Sequence, residues 1–202
     1  MSKRKHRRLK HKSLRCGVAK PETVKKPTTL MWAYGSNLSH RQMRLRCPRA
    51  KPVGPLCLEG GVLTFRGYAD VESRDGCVIA GGLWRITPRC ERELDAYEGV
   101  SAGIYEKRYL LLRMPDGREE KCLYYKMLPQ NGELGVMPPW AQYLDVIRDG
   151  YKDFKLNTRY LDEALARAWG EKDKTADVLD RWKRKGRPRL VRITEANGET
   201  VQ

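Results

Sequence analysis

Apolar residues along this chain fall in short blocks separated by Gly- and Pro-bearing turns, between two basic ends with little apolar patterning. Residues 29–33 form a compact apolar run before Gly35-Ser36-Asn37, the pattern of a short buried strand ending in a turn. Asn37 and Ser39 are placed to cap a helix spanning about 41–45. Pro48, Pro52, Gly54 and Pro55 then predict an irregular connector. Residues 56–65 read as a strand with a glycine bulge, 70–76 as a loop ending in a turn, and 77–86 as the clearest strand. The Gly81-Gly82 pair in that strand predicts a bend. Thr87-Pro88 predicts an N-cap and first helical turn, with Glu91 near a capping-box position and Gly99 as the stop after Tyr97. Residues 104–113 and 119–126 read as a hairpin, and 128–139 as a Gly/Pro-rich loop. A helix over 140–149 is expected to be interrupted at Gly150, and 159–169 forms an amphipathic helix. No internal repeat is present.

Two local arrangements carry chemistry. A glycine directly after a strand allows a tight bend and close approach to the backbone, so Gly35-Ser36-Asn37 is suited to cradle a carboxylate or an oxyanion. The same residues also suit a plain strand–turn–helix with no ligand. Glu98 sits at the end of a helix beside Gly99, where the partial negative charge of the helix terminus disfavours a carboxylate and raises its pKa. That is a poor structural position for an acid and a plausible functional one. Tyr105, Lys107 and Tyr109 share one face of their strand if it is regular. His40 reads as a surface helix residue, and Ser36 lacks the Asp/His pair that a serine nucleophile needs.

Composition narrows the class. The 202 residues suit one globular domain with tails, and five Trp and ten Tyr supply large anchoring side chains. The net charge of +16 comes from 41 Lys+Arg against 25 Asp+Glu and favours anionic partners. Much of the excess lies in residues 1–28, where Glu22 is the only acid, and again past Gly170. Such dense like charge predicts disorder, read either as a solvated tail or as an arm for nucleic acid or nuclear import. Trp182, amid the C-terminal cations, could stack on a base or pack on the domain. The cysteines at 16, 47, 57, 77, 90 and 122 include no Cys-x-x-Cys, and the histidines at 6, 11 and 40 do not cluster with them, so no metal is expected. No apolar run reaches bilayer length and no secretory signal pattern opens the chain. A cytoplasmic setting with free thiols is therefore expected, without membrane partners.

Taken in order, Tyr34-Gly35-Ser36-Asn37-Leu38, Gly82-Leu83-Trp84, Leu94-Asp95-Ala96-Tyr97-Glu98-Gly99-Val100, Gly103-Ile104-Tyr105 and Pro138-Pro139-Trp140-Ala141-Gln142-Tyr143 resemble the γ-glutamylcyclotransferase (AIG2-like) family. The resemblance covers about 29–168, between a leader (1–28) and a basic extension (169–202). It implies an α+β fold, a small mixed β-barrel flanked by helices, with a pocket between the first turn and the Glu98 loop. It also implies closure of a γ-glutamyl amide on its own α-amine, giving 5-oxoproline and a free amine. Glu98 matches the family's catalytic position as general acid/base. Tyr34, Gly35, Ser36, Asn37, Leu38, Tyr105 and Tyr143 match substrate-binding positions. No metal or organic cofactor is called for, because intramolecular ring closure gains mainly from orientation. The basic tails depart from the family pattern and leave open a second reading, an inactive binding module whose tails bind nucleic acid.

Overall fold

The computed structural model describes residues 28–114, 116–129 and 135–170, with the backbone of 191–192. The expectations for the leader, for Trp182 and for nearly all of the C-terminal extension lie outside the described residues.

The first strand, β1 (Thr29–Ala33), is buried from Leu30 onward. It is apolar throughout because it lies mid-sheet with both faces covered. It pairs antiparallel with β3 (Tyr68–Ile86), from Thr29↔Ile86 to Ala33↔Gly82, and parallel with β5 (Glu119–Met127) at Leu30↔Cys122. β2 (Lys51–Arg66) and β3 form one long hairpin, and β4 (Tyr105–Arg113) pairs with β5 in another. A two-residue strand, β6 (Val191–Arg192), pairs with Leu58 and Glu59 of β2. The order β4-β5-β1-β3-β2-β6 is linear. The α+β class therefore stands, but the expected small barrel is an open mixed sheet, and among the described residues no pairing joins β4 to β6.

Two expectations about these strands are corrected. The prolines at 52 and 55 lie inside β2, with Pro52↔Trp84 and Pro55↔Gly82 in register. They are tolerated because among the described residues this part of β2 has β3 on one side only, so no ladder bond is lost on the other. Residues 70–76 are strand and not loop, since the hairpin turns earlier, at Gly67 with φ +78°. A register break does follow: Glu59 faces Val78 while Gly61 faces Ser73, so residues 74–77 bulge opposite Gly60. The Gly81-Gly82 pair makes room for neighbouring rings. A Cβ at Gly81 would lie 2.2 Å from the Trp32 indole nitrogen, and one at Gly82 2.6 Å from the Phe154 ring.

Helix α1 (His40–Arg46) follows a 3-10 turn, Ser36–Leu38, and α2 (Pro88–Tyr97) follows β3. Ser39 caps α1 by accepting from the Gln42 amide, and Thr87 caps α2 by accepting from the Cys90 amide. Asn37 caps nothing and Glu91 completes no capping box; Glu91 instead accepts from Lys107 Nζ at 3.1 Å. Helix α3 (Ala141–Asp153) runs straight through Gly150. A Cβ there would come within 2.3 Å of Leu38 Cβ and 2.8 Å of the Ser39 nitrogen. Gly150 is thus the contact point that lets α3 lie against the 3-10 turn. Helix α4 (Arg159–Ala168) buries Tyr160, Leu161, Ala164 and Leu165 and packs on β2. Among the described residues, no helix is long and apolar enough to cross a membrane.

Candidate active site

The end of β1 and the end of α2 meet in a cleft of ≈ 320 Å³ lined by Trp32, Ala33, Tyr34, Gly35, Ser36, Asn37, Ala69, Glu98, Tyr105, Tyr125 and Tyr143. Local sequence explains each half. In the 3-10 turn the Leu38 and Ser39 amides bond back to Gly35 and Ser36 at 2.9 and 3.2 Å. The amides of Ser36 and Asn37 come before those bonds begin. Close packing leaves little room at Gly35, where a Cβ would meet Ala69 Cβ at 3.1 Å and the Tyr143 hydroxyl at 3.3 Å. On the other side, α2 ends in a Schellman arrangement. Gly99, at φ +65°, donates to Ala96, and Val100 donates to Asp95. Glu98 is the C-cap of this motif, so its backbone is set by the helix end while its side chain turns to the cleft.

Glu98 Oε1 accepts from Asn37 Nδ2 at 2.6 Å. The Asn37 orientation is set from behind by Arg46, whose Nη1 donates to Asn37 Oδ1 at 2.5 Å and to Ser36 Oγ at 3.1 Å. Arg46 also donates to the Tyr97 hydroxyl and lies 3.5 Å from the centre of that ring. The Asn37 carbonyl accepts from the Trp84 indole at 3.0 Å, which pins the turn to β3. Burial pushes the Glu98 carboxyl up to about 6, against the opposing effects of the Asn37 hydrogen bond and the Arg46 charge. The raising cause is desolvation and not the helix terminus expected from the sequence.

The tyrosines divide by what their hydroxyls do. Tyr34 donates to the Tyr125 carbonyl and Tyr105 to the Ala69 carbonyl, each at 2.6 Å. Tyr125 donates to Asp95 at 2.8 Å, and Asp95 is in turn bound by Lys107. Tyr143 is different: its oxygen accepts from the Ala69 amide at 3.2 Å, so its own proton stays available to the cleft. Burial raises all four phenols above their ordinary range, so they are neutral donors at neutral pH.

Of the residues anticipated from sequence, Tyr34, Gly35, Ser36, Asn37, Glu98, Tyr105 and Tyr143 come together here. Leu38 does not line the cleft; it is fully buried against α3. Sequence reasoning missed Trp32, Ala33, Ala69, Tyr125 and Arg46. Tyr125 shares a β5 face with Met127, whose opposite residue is Tyr105, and that register was the available signal. Arg46 ends the helix that starts after the turn, but nothing local announces that it folds back onto Asn37.

The AIG2-like family model matches residues 78–164. The chain is 29% identical to a mouse γ-glutamylcyclotransferase over 176 residues, covering 81% of this chain and 92% of that protein. It is 28% identical to the human γ-glutamylcyclotransferase over 149 residues, covering 68% and 77%. A crystal structure of a human protein described as uncharacterized superposes with a TM-score of 0.57 at 26% identity, over 68% of this chain and 86% of that one. A structure of a γ-glutamyl cyclotransferase superposes at 0.58 with 22% identity, over 77% and 99%, a likeness of fold. With the Tyr34–Leu38 turn facing the Glu98 loop across one cleft, and these relatives beside it, the chain is similar to the AIG2-like, γ-glutamylcyclotransferase family.

Proposed function

We propose that this protein cyclises a γ-glutamyl amide to 5-oxoproline and releases the amine, with Glu98 as general acid/base. The observation that carries this reading is the Glu98 carboxylate, held by Asn37 at 2.6 Å in the cleft and raised to about 6. A base of that strength is ionised at neutral pH yet binds a proton readily enough to pass it on. The substrate's α-ammonium gives Glu98 a proton, and the freed nitrogen attacks the γ-carbonyl. A second proton leaves this nitrogen as the tetrahedral centre collapses and the carbon–nitrogen bond to the leaving group breaks. Both protons reach the departing nitrogen, which leaves as an ammonium ion, so the step balances without a co-reactant. The Tyr143 hydroxyl and the Ser36 and Asn37 amides are the donors suited to the oxyanion or to the substrate carboxylate. Tyr34, Tyr105 and Tyr125 wall the cleft and keep it free of competing charge.

The test is detection of 5-oxoproline by mass spectrometry after incubation with γ-glutamyl dipeptides, γ-glutamylamines and glutathione. Glu98→Gln serves as the blank, since it keeps shape and removes basicity. Product that forms equally with the variant would sink the assignment.

A further inference from the structure

Tyr143 belongs to two places at once. Its hydroxyl sits in the cleft against Gly35 and Ala69, while its ring packs outward on two exposed aromatics. Trp140 lies 5.1 Å from it, tilted by 37°, and Tyr68 meets it edge-on at 5.5 Å. Tyr68 and Trp140 also contact each other edge-on at 4.6 Å. Each keeps nearly half of its surface open, 49% for Tyr68 and 45% for Trp140, so ring area remains for a further partner. The platform is held rigidly. Gly67 donates to the Met137 carbonyl at 3.0 Å and Met137 donates to the Phe65 carbonyl at 2.8 Å, tying the hairpin tip to the segment before α3. Trp140 is itself the N-cap residue of α3.

We propose that Tyr68, Trp140 and the outer face of Tyr143 form a subsite for the amine half of the substrate, selecting γ-glutamyl amides whose amine carries an aromatic ring. This rests on the cyclotransferase reading given above. A γ-glutamyl group seated between the 3-10 turn and Glu98 would have its leaving group emerge along Tyr143, a cleft wall that continues outward as aromatic surface. Three rings in mutual contact present π-faces and edges at several angles, which suits a planar apolar group. A cationic amine could also lie on such rings. However, the chain's net charge of +16 repels cations. Because the rings are already ordered, little conformational freedom is lost on binding.

The test compares kcat/KM for γ-glutamylphenylalanine, γ-glutamylalanine and γ-glutamyl-ε-lysine, read as 5-oxoproline release. The expected preference for the phenylalanine compound over the alanine one is roughly tenfold, the factor one good aromatic contact supplies. Trp140→Ala and Tyr68→Ala each lower that ratio several-fold, while Trp140→Phe retains most of it. Both sites are half exposed, so truncation there leaves the core packed. Equal rates for phenylalanine and alanine, a preference for the lysine compound, or a ratio indifferent to both truncations would overturn the subsite and leave the enzyme reading intact. Absence of product from every compound would overturn the enzyme reading and the subsite together.

Discussion

Substituting Gln for Glu98 keeps an acceptor for Asn37 Nδ2 and changes only the charge, which makes the energetics tractable. Burial holds the carboxyl at about 6 in the folded protein, against 4.5 for a free glutamate side chain. Between those two values the folded state binds a proton that the unfolded state has released. Wild-type stability therefore falls as pH rises through that window, and above it the full penalty for a buried charge is present. At about 1.4 kcal/mol per pH unit, that displacement amounts to about 2 kcal/mol. Gln carries no such penalty. The variant and the wild type should be nearly equally stable at about pH 4, and the variant about 2 kcal/mol more stable at about pH 7. Urea unfolding of both proteins across this range gives the difference directly, and subtraction removes every other titrating group. A difference that stays flat with pH, or a wild type that is the more stable at neutral pH, would refute the account of how burial tunes Glu98. The same variant should lose 5-oxoproline release, a case of an active site kept at the expense of stability.

Three further outcomes follow from the geometry. In the wild type, kcat/KM should decline below pH 6 as Glu98 takes up a proton; Arg46→Met, which removes a charge favouring the carboxylate, should move that limb to higher pH. A pH–rate profile unmoved by the substitution would show that Arg46 does not act on Glu98. Tyr143→Phe should lower kcat by about 100-fold if its free proton meets the oxyanion, with KM little changed; a KM effect alone would assign the hydroxyl to ground-state binding. Gly150→Ala forces a Cβ to within 2.3 Å of Leu38 and should destabilise the fold by about 1–3 kcal/mol while displacing the Ser36–Leu38 turn. Chemical denaturation within about 0.5 kcal/mol of wild type would show that α3 can retreat without strain.

What could be read from the chain was local. The strand before Gly35, the α2 stop at Gly99 and the β4–β5 hairpin each follow from neighbouring residues, and the two halves of the cleft lie at such signals. The misreadings share a cause: a residue's local preference was overruled by its tertiary surroundings. Pro52 and Pro55 stay in β2 because their side of the strand has no described partner, and Gly150 stays helical because a turn over 100 residues away needs the space. Arg46 was missed because its role depends on Tyr97 and Asn37 meeting across two elements. The raised Glu98 carboxyl was expected from the helix terminus, whereas burial raises it, and enclosure by distant segments is invisible in a string of letters.

The placement of β1 bears on how the chain is made. This strand is made before both of its neighbours in the sheet, β3 and β5, whose partner residues for Leu30 are Arg85 and Cys122. Pairings that distant are slow to form, because a long loop must close first. Until β5 has been made, then, an apolar strand with Leu30, Met31 and Trp32 waits with at least one edge open, the condition under which nascent chains associate with one another. The Ser36–Leu38 turn hangs from the end of that strand, so Asn37 meets Glu98 only after β3 and α2 have followed it.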